Sequence, residues 1–161
     1  MPLRAGVLTI SDLGARGERQ DTSGAAIHDL LTSIGIEIIK YEIVPDERET
    51  ISGHLIEWAD ETALDLIVTT GGTGLGPRDV TPEATRDVIR YEVPGIAEVM
   101  RQEGLKATPM SMISRSVAGV RGCTLIINLP GSPKGVRENL TVVLPVLRHA
   151  LELLSGGPAE H

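Results

Sequence analysis

Leu64 to Thr70 reads LDLIVTT, and the next nine residues are GGTGLGPRD. A largely apolar run without polar alternation is the pattern of a strand covered on both faces, so other layers must pack on each side of it. It stops in Gly71, Gly72, Gly74 and Gly76, which favour an irregular backbone over further strand or helix. The flanking segments alternate in period. Arg4 to Ser11 (RAGVLTIS), Ile36 to Val44 (IEIIKYEIV) and Cys123 to Leu129 (CTLIINL) read as strands. Helical spacing falls on Ile27, Leu30, Leu31 and Ile34 within a segment opening at Ala25, and on Ile51, Leu55, Ile56 and Ala59 within Glu47 to Thr62. Further helices are predicted over Thr81 to Arg90, Ile96 to Leu105 and Ser132 to Ser155. Pro145 interrupts the last and predicts a kink, at an intrinsic cost of about 3 kcal/mol. The stretch TPMSMISRSVAGVRG has no clean period and is assigned to helix. Strands alternating with helices predict a three-layer α/β fold around a mostly parallel, open, Rossmann-like sheet. One domain is expected over 1–155, with a loose tail at 156–161.

Composition removes several function classes. The net charge is −7 and no basic stripe breaks it, which argues against a nucleic-acid partner. No apolar run approaches the ~18 residues of a membrane span. The start MPLRAGVLTISD runs directly into a strand and does not read as a signal peptide. The lone Cys123 fits a reducing cytoplasm, and its place in CTLIINL predicts a buried core thiol. Trp58, Tyr41 and Tyr91 are the only aromatic residues, too few for a base-stacking platform. His28, His54, His149 and His161 lack zinc spacing. No Gly-x-Ser-x-Gly elbow is present, and Ser11, Ser114, Ser116 and Ser132 have no evident base partner, so no covalent nucleophile emerges.

In open sheets of this kind ligands bind beyond the carboxyl ends of the strands. Four loops fall there: Ser11-Asp12, Pro45-Asp46, Thr69 to Asp79, and Asn128 to Lys134. The glycine loop, with Thr73 inside it, suits an anion-binding nest of consecutive N–H groups. It is neither of the common nucleotide motifs. Gly76 is followed by Pro77-Arg78 instead of Lys-Ser/Thr, and Asp79 stands where a dinucleotide fingerprint needs its third glycine. Asp79 beside a phosphate cradle either meets a divalent cation or simply forms the turn before a helix. For Asp46, the spacing Asp46-Glu47-Arg48-Glu49 favours a helix cap over a metal ligand. NLPGSPKG is either a second anion site, with Lys134 beside a helix start capped by Ser132, or only a well-made helix start. Arg78 and Lys134 either neutralise ligand charge or are solvated.

TTGGTGLGPRDVTPEAT together with INLPGSPKG resembles the molybdenum cofactor biosynthesis family, specifically the molybdopterin adenylyltransferases of the MogA/MoaB type. GVLTISD, GERQDTSG, VPDE and SRSVAGV extend the resemblance over nearly the whole chain, and SDLGARGERQDTSG with NLPGSPK looks closer to the MogA branch. The resemblance implies a MogA-like fold and transfer of AMP from Mg-ATP to the terminal phosphate of molybdopterin, with release of pyrophosphate. It implies Asp46 and Asp79 as the catalytic pair that holds Mg²⁺. Gly71, Gly72, Thr73, Gly74 and Arg78 would surround the ATP phosphates. Ser11, Asp12, Ser114, Ser116, Asn128, Gly131 and Ser132 would surround molybdopterin. A homotrimer is implied, with transient contact to a molybdate-insertion protein. Two alternatives stand beside this reading: a molybdopterin-binding scaffold or MoaB-type paralogue without turnover, and a hydrolase of pyridine-nucleotide derivatives, whose relatives usually carry an extra C-terminal domain.

Overall fold

The computed structural model describes residues 2–156, so most of the expected tail, 157–161, lies outside the described residues. Six strands make one sheet: β1 (Arg4–Ile10), β2 (Glu37–Val44), β3 (Leu66–Thr70), β4 (Tyr91–Glu92), β5 (Ala118–Arg121) and β6 (Thr124–Leu129). Their order is β2-β1-β3-β6-β5-β4. The pairs β1–β2, β1–β3 and β3–β6 are parallel, whereas β5 runs antiparallel to both β6 and β4. The helices are α1 (Asp12–Ala15), α2 (Thr22–Ser33), α3 (Arg48–Asp60), α4 (Thr81–Arg86), α5 (Pro94–Leu105) and α6 (Pro133–Leu154), with a 3-10 helix at Pro109–Ile113.

The period-two alternation of the central strands divides the core into two. Ala5 and Val7 of β1, Leu66 and Val68 of β3, and Leu125, Ile127 and Leu129 of β6 pack with α2, α5 and α6. Leu8, Ile10, Ile67 and Ile126 point the other way and pack with Ile51, Leu55 and Trp58 of α3 and Ala84 of α4. This is the three-layer α/β arrangement that the apolar run at β3 demanded.

The antiparallel hairpin corrects two expectations. TPMSMISRSVAGVRG is not one helix: only Pro109–Ile113 winds, as 3-10 turns, and Ala118–Arg121 is strand. The hairpin turns at Gly122-Cys123, with Gly122 at φ 58, so Cys123 is exposed and not a core thiol. Helix starts shift as well. Ser11 caps a single-turn α1 inside the expected loop, and Asp21 caps α2 at Thr22, three residues before Ala25. The expected helix to Arg90 stops at Arg86, where the chain turns toward β4. Ser132 does cap α6, accepting from Gly135 N, and Pro145 lies within that helix.

Gly6 lets β1 pack closely on Trp58 of α3. A Cβ there would sit 2.7 Å from Trp58 Cε3 and 2.8 Å from Leu64 Cδ1. Trp58 is enclosed and has no room to withdraw. Gly6→Ala is therefore expected to destabilise the fold by roughly 1–3 kcal/mol. Urea unfolding measures this, and a midpoint equal to wild type would refute the packing argument.

Candidate functional site

Strand order reverses between β1 and β3, because β2 lies outside β1 and β6 outside β3. At that switch point the strand ends open a cleft of about 220 Å³, lined by Ser11, Asp46, Gly71, Gly72, Asp79 and Gly131 among others. The turn out of β3 is built on left-handed glycines, Gly71 at φ 101 and Gly72 at φ 70. A Cβ on Gly71 would collide with the Ile10 carbonyl oxygen, and one on Gly72 with Thr81 Oγ1. Thr81 is the first residue of α4; its N–H donates to Gly72 O at 3.1 Å and its hydroxyl to Gly71 O at 2.9 Å. Gly71 N donates to Leu129 O at 3.1 Å. Beyond that point the N–H groups of Gly72, Thr73, Gly74 and Leu75 donate to no acceptor among the described residues. Consecutive donors without a protein acceptor are what an anion-binding nest is built from, and Gly72 is the one of the four that lines the cleft.

The carboxylates are held by backbone. Asp46 is not a helix cap: the cap position belongs to Glu47, whose side chain makes no capping bond. Instead Asp46 Oδ2 accepts from Asp12 N at 2.9 Å, and Asp46 N donates to Asp12 Oδ1 at 3.0 Å. This reciprocal pair fastens the loop after β2 to the loop after β1. Arg78 then grips Asp12 with both arms of its fork, Nε to Oδ2 at 3.1 Å and Nη2 to Oδ1 at 2.9 Å. Asp79 Oδ2 accepts from Gly76 N at 2.9 Å, and the loop curls so closely that a Cβ on Gly74 or Gly76 would lie 3.0 or 2.9 Å from that oxygen. Asp46 Oδ1 and Asp79 Oδ1 have no protein donor among the described residues. Two carboxylates on one cleft, each with an oxygen to spare, fit Mg²⁺, which uses one or two protein carboxylates and completes its shell with phosphate and water. No larger group of His, Cys, Asp and Glu with metal-ligand geometry occurs among the described residues.

The remaining predicted residues divide. Ser11 and Gly131 line the main cleft. Ser114 and Ser132 line a second cleft of about 240 Å³ together with Met110 and Lys134. Ser116 lies in a third, shared with Ser114. Asp12 and Arg78 pair with each other in a solvent-exposed bridge that leaves Arg78 Nη1 without a protein acceptor among the described residues. Asn128 is not a surface contact at all. It is fully enclosed, its Oδ1 accepting from Val117 N at 3.1 Å and its Nδ2 donating to Thr69 Oγ1 and Thr85 Oγ1, each at 3.0 Å. Thr73 is buried, with its carbonyl turned to Arg115 N at 2.9 Å.

Three contributors escaped the sequence reading. Arg115 holds the glycine loop from behind. Asp21 caps α2 while accepting from the hydroxyls of Thr9 and Tyr41, and it lines the main cleft. Ser23 Oγ donates to Gly131 O at 2.7 Å and seats the loop after β6 beside Gly71. Asp21 stands in GERQDTSG, a legible cap signal; Arg115 had no comparable signal, since most of its partners are backbone carbonyls far away in sequence.

The two aspartates have opposed electrostatics. Arg78, with the Asp46 backbone, holds the Asp12 carboxyl below its ordinary value of 3.8. Burial pushes Asp46 above 3.8, and the negative charges of Asp12 and Asp79 add to the shift. The signs of the stability effects follow. Asp12 contributes stability that is present above 3.8 and lost as pH falls through its lowered value. The raised Asp46 carboxyl contributes stability that is fully present below 3.8 and lost as pH rises through its raised value. Asp46→Asn keeps the acceptor for Asp12 N and removes the second effect. Relative to this variant, wild type should lose stability as pH climbs above 3.8 and then level off, in urea titrations at stepped pH. Parallel curves above 3.8 would contradict the burial of that charge.

Residues 6–149 match the family model described as "Probable molybdopterin binding domain". The molybdopterin adenylyltransferase of Helicobacter pylori strain J99 is 45% identical over 156 residues, covering 96% of this chain and 89% of its own. The crystal structure of the molybdopterin biosynthesis enzyme MoaB from Thermus thermophilus is 59% identical with a TM-score of 0.92, covering 98% of this chain and 99% of its own. A structure of MogA is 42% identical with a TM-score of 0.89, covering 94% and 99%. The chain therefore belongs to the molybdopterin-binding domain family of molybdenum cofactor biosynthesis.

Proposed function

We propose that this protein is a molybdopterin adenylyltransferase that moves AMP from Mg-ATP to the terminal phosphate of molybdopterin. In that reaction an oxygen of the molybdopterin phosphate forms a bond to the α-phosphorus, the bond from that phosphorus to the β-phosphate bridging oxygen breaks, and pyrophosphate leaves with the electron pair. The observation that carries the reading is the set of four free N–H groups over Gly72 to Leu75, on the same loop system that presents Asp46 and Asp79 to the cleft. The N–H groups would take phosphate oxygens, and the spare Oδ1 atoms of the two aspartates would hold Mg²⁺. When bound there, the ion neutralises charge on the phosphates. In this reading no covalent step on a side chain is invoked, and acceleration rests on alignment and charge stabilisation. Ser11 and Gly131 would meet the phosphate end of molybdopterin, and the more apolar cleft at Ser114, Ser132 and Met110 offers room for the rest of it. Assembly as a homotrimer, delivery to a molybdate-insertion protein, and a cytoplasmic setting in which the exposed Cys123 stays reduced belong to the same proposal. No helix of the described residues is long and apolar enough to cross a membrane.

Asp79→Asn separates an enzyme from a pterin-binding scaffold. Asparagine keeps an acceptor for Gly76 N and removes the charge. The variant should fold, bind molybdopterin as wild type does, and adenylylate it at least about a hundredfold more slowly in single-turnover assays, the scale of losing one transition-state electrostatic contact. Unchanged adenylylation in the variant would remove Asp79 from the chemistry. A wild-type protein that binds molybdopterin but forms no adenylylated product with ATP and Mg²⁺ would favour the scaffold.

A further inference from the structure

Arg115 lies between the 3-10 helix and β5, outside all four strand-end loops, yet it makes more bonds to the glycine loop than any residue of that loop makes to another. Its backbone N–H donates to Thr73 O at 2.9 Å. Its Nε donates to Gly74 O at 2.8 Å and its Nη2 to Asp79 O at 2.9 Å. The remaining arm, Nη1, pairs with Glu83 Oε2 at 2.6 Å. One residue thus collects the carbonyls of Thr73, Gly74 and Asp79 and ties them to the first turn of α4. The side chain is about two-thirds covered, at 32% relative exposure, so these bonds are made in a partly dry environment.

The direction of those carbonyls is the point. In a trans peptide the N–H of the next residue is antiparallel to the C=O. Turning the carbonyls of Thr73 and Gly74 toward Arg115 therefore turns the N–H groups of Gly74 and Leu75 away from it, and these are two of the four free donors. Glycine residues leave this backbone many alternative conformations, so the nest does not hold its shape through local preference. Glu83, whose carboxyl Arg115 keeps below its usual range, anchors the guanidinium and completes the clamp.

We infer that Arg115 is a positioning residue for phosphate recognition: it fixes the glycine loop with carbonyls facing the guanidinium and N–H groups facing the ligand, and it sets the backbone of Asp79 in the same grip. It does not itself touch the phosphates. This rests on the adenylyl-transfer reading only for the identity of the anion. The planar fork is the essential feature, because three acceptors lie in fixed directions that a single ammonium cannot span.

Arg115→Lys tests this, since it keeps the net charge and much of the aliphatic stem while removing the fork. The probe is inorganic pyrophosphate at one fixed Mg²⁺ concentration, titrated by calorimetry against wild type and variant, alongside thermal melts and adenylylation kinetics. The expected result is pyrophosphate affinity lower by about tenfold, the loss of preorganised donors, in a protein that still melts cooperatively. KM for ATP should rise correspondingly while KM for molybdopterin stays at the wild-type value. Glu83→Gln, which frees one arm of the clamp, should shift pyrophosphate affinity in the same direction by a smaller factor. A role confined to stability would lower the melting temperature and leave pyrophosphate affinity and the ATP KM of the folded protein unchanged. Pyrophosphate affinity within about twofold of wild type in Arg115→Lys overturns the inference, even if wild type adenylylates molybdopterin. A wild type that binds pyrophosphate but transfers no AMP leaves the clamp standing and removes the adenylyl-transfer reading instead.

Discussion

The site depends on parallel strands that end at one level. Thr9 lies beside Thr70, Thr70 beside Leu129, and Ile10 beside Val44, so β1, β2, β3 and β6 all release their chains at the same edge of the sheet. At such an edge the ladder runs out, and backbone groups need partners from the loops. Ser11 N takes Val44 O at 2.9 Å, Gly71 N takes Leu129 O at 3.1 Å, and Thr70 Oγ1 takes Pro130 O at 2.6 Å. Each of these bonds joins neighbouring strand ends. The loops are thereby committed to one another before any ligand arrives, and the N–H groups of Gly72 to Leu75 are among those left over.

The central sheet and the loops were legible in the chain because their signals are local. The apolar run at β3 demanded two covered faces, and Ser132 with Pro133 announced the start of α6. The antiparallel hairpin was not legible, because β4 has two residues and β5 has four, too few for any period to show. Gly119 of β5 lies under Ile89 and the Tyr91 carbonyl, a packing reason that a sequence does not display. Cys123 looked buried because it continues an apolar run. The turn falls just there, and a turn residue faces water whatever its neighbours are.

Asp46 shows how a local rule is overridden. Its spacing to Glu49 is that of a capping box, and a free helix would use it. In the fold, the N–H of Asp12, supplied by the loop after β1, takes the carboxylate, and the helix begins at Arg48 without a side-chain cap. A good cap is worth about 1 kcal/mol. Forgoing it is tolerable when the same side chain joins two loops, and it leaves Asp46 Oδ1 facing the cleft instead of turned into α3.

The charges of the cleft would favour a cation and a phosphate chain together over either one alone. Asp21, Asp46 and Asp79 line the main cleft with Arg19 as the only arginine or lysine among its walls. Arg78 and Arg115 stand close by and pair with protein groups, one with Asp12 and the other with the glycine loop and Glu83. A phosphate chain entering alone would gain the free N–H groups and meet the carboxylates unscreened. A divalent cation entering alone would gain the carboxylates, relieving the burial that lifts the Asp46 carboxyl, and would lack the phosphate oxygens that complete its shell. The two together satisfy both halves. Arginines used as braces instead of ligands follow from the same logic. A guanidinium paired with Asp46 or Asp79 would compete with the cation for them, whereas one behind the loop orients donors without adding a rival charge beside those carboxylates.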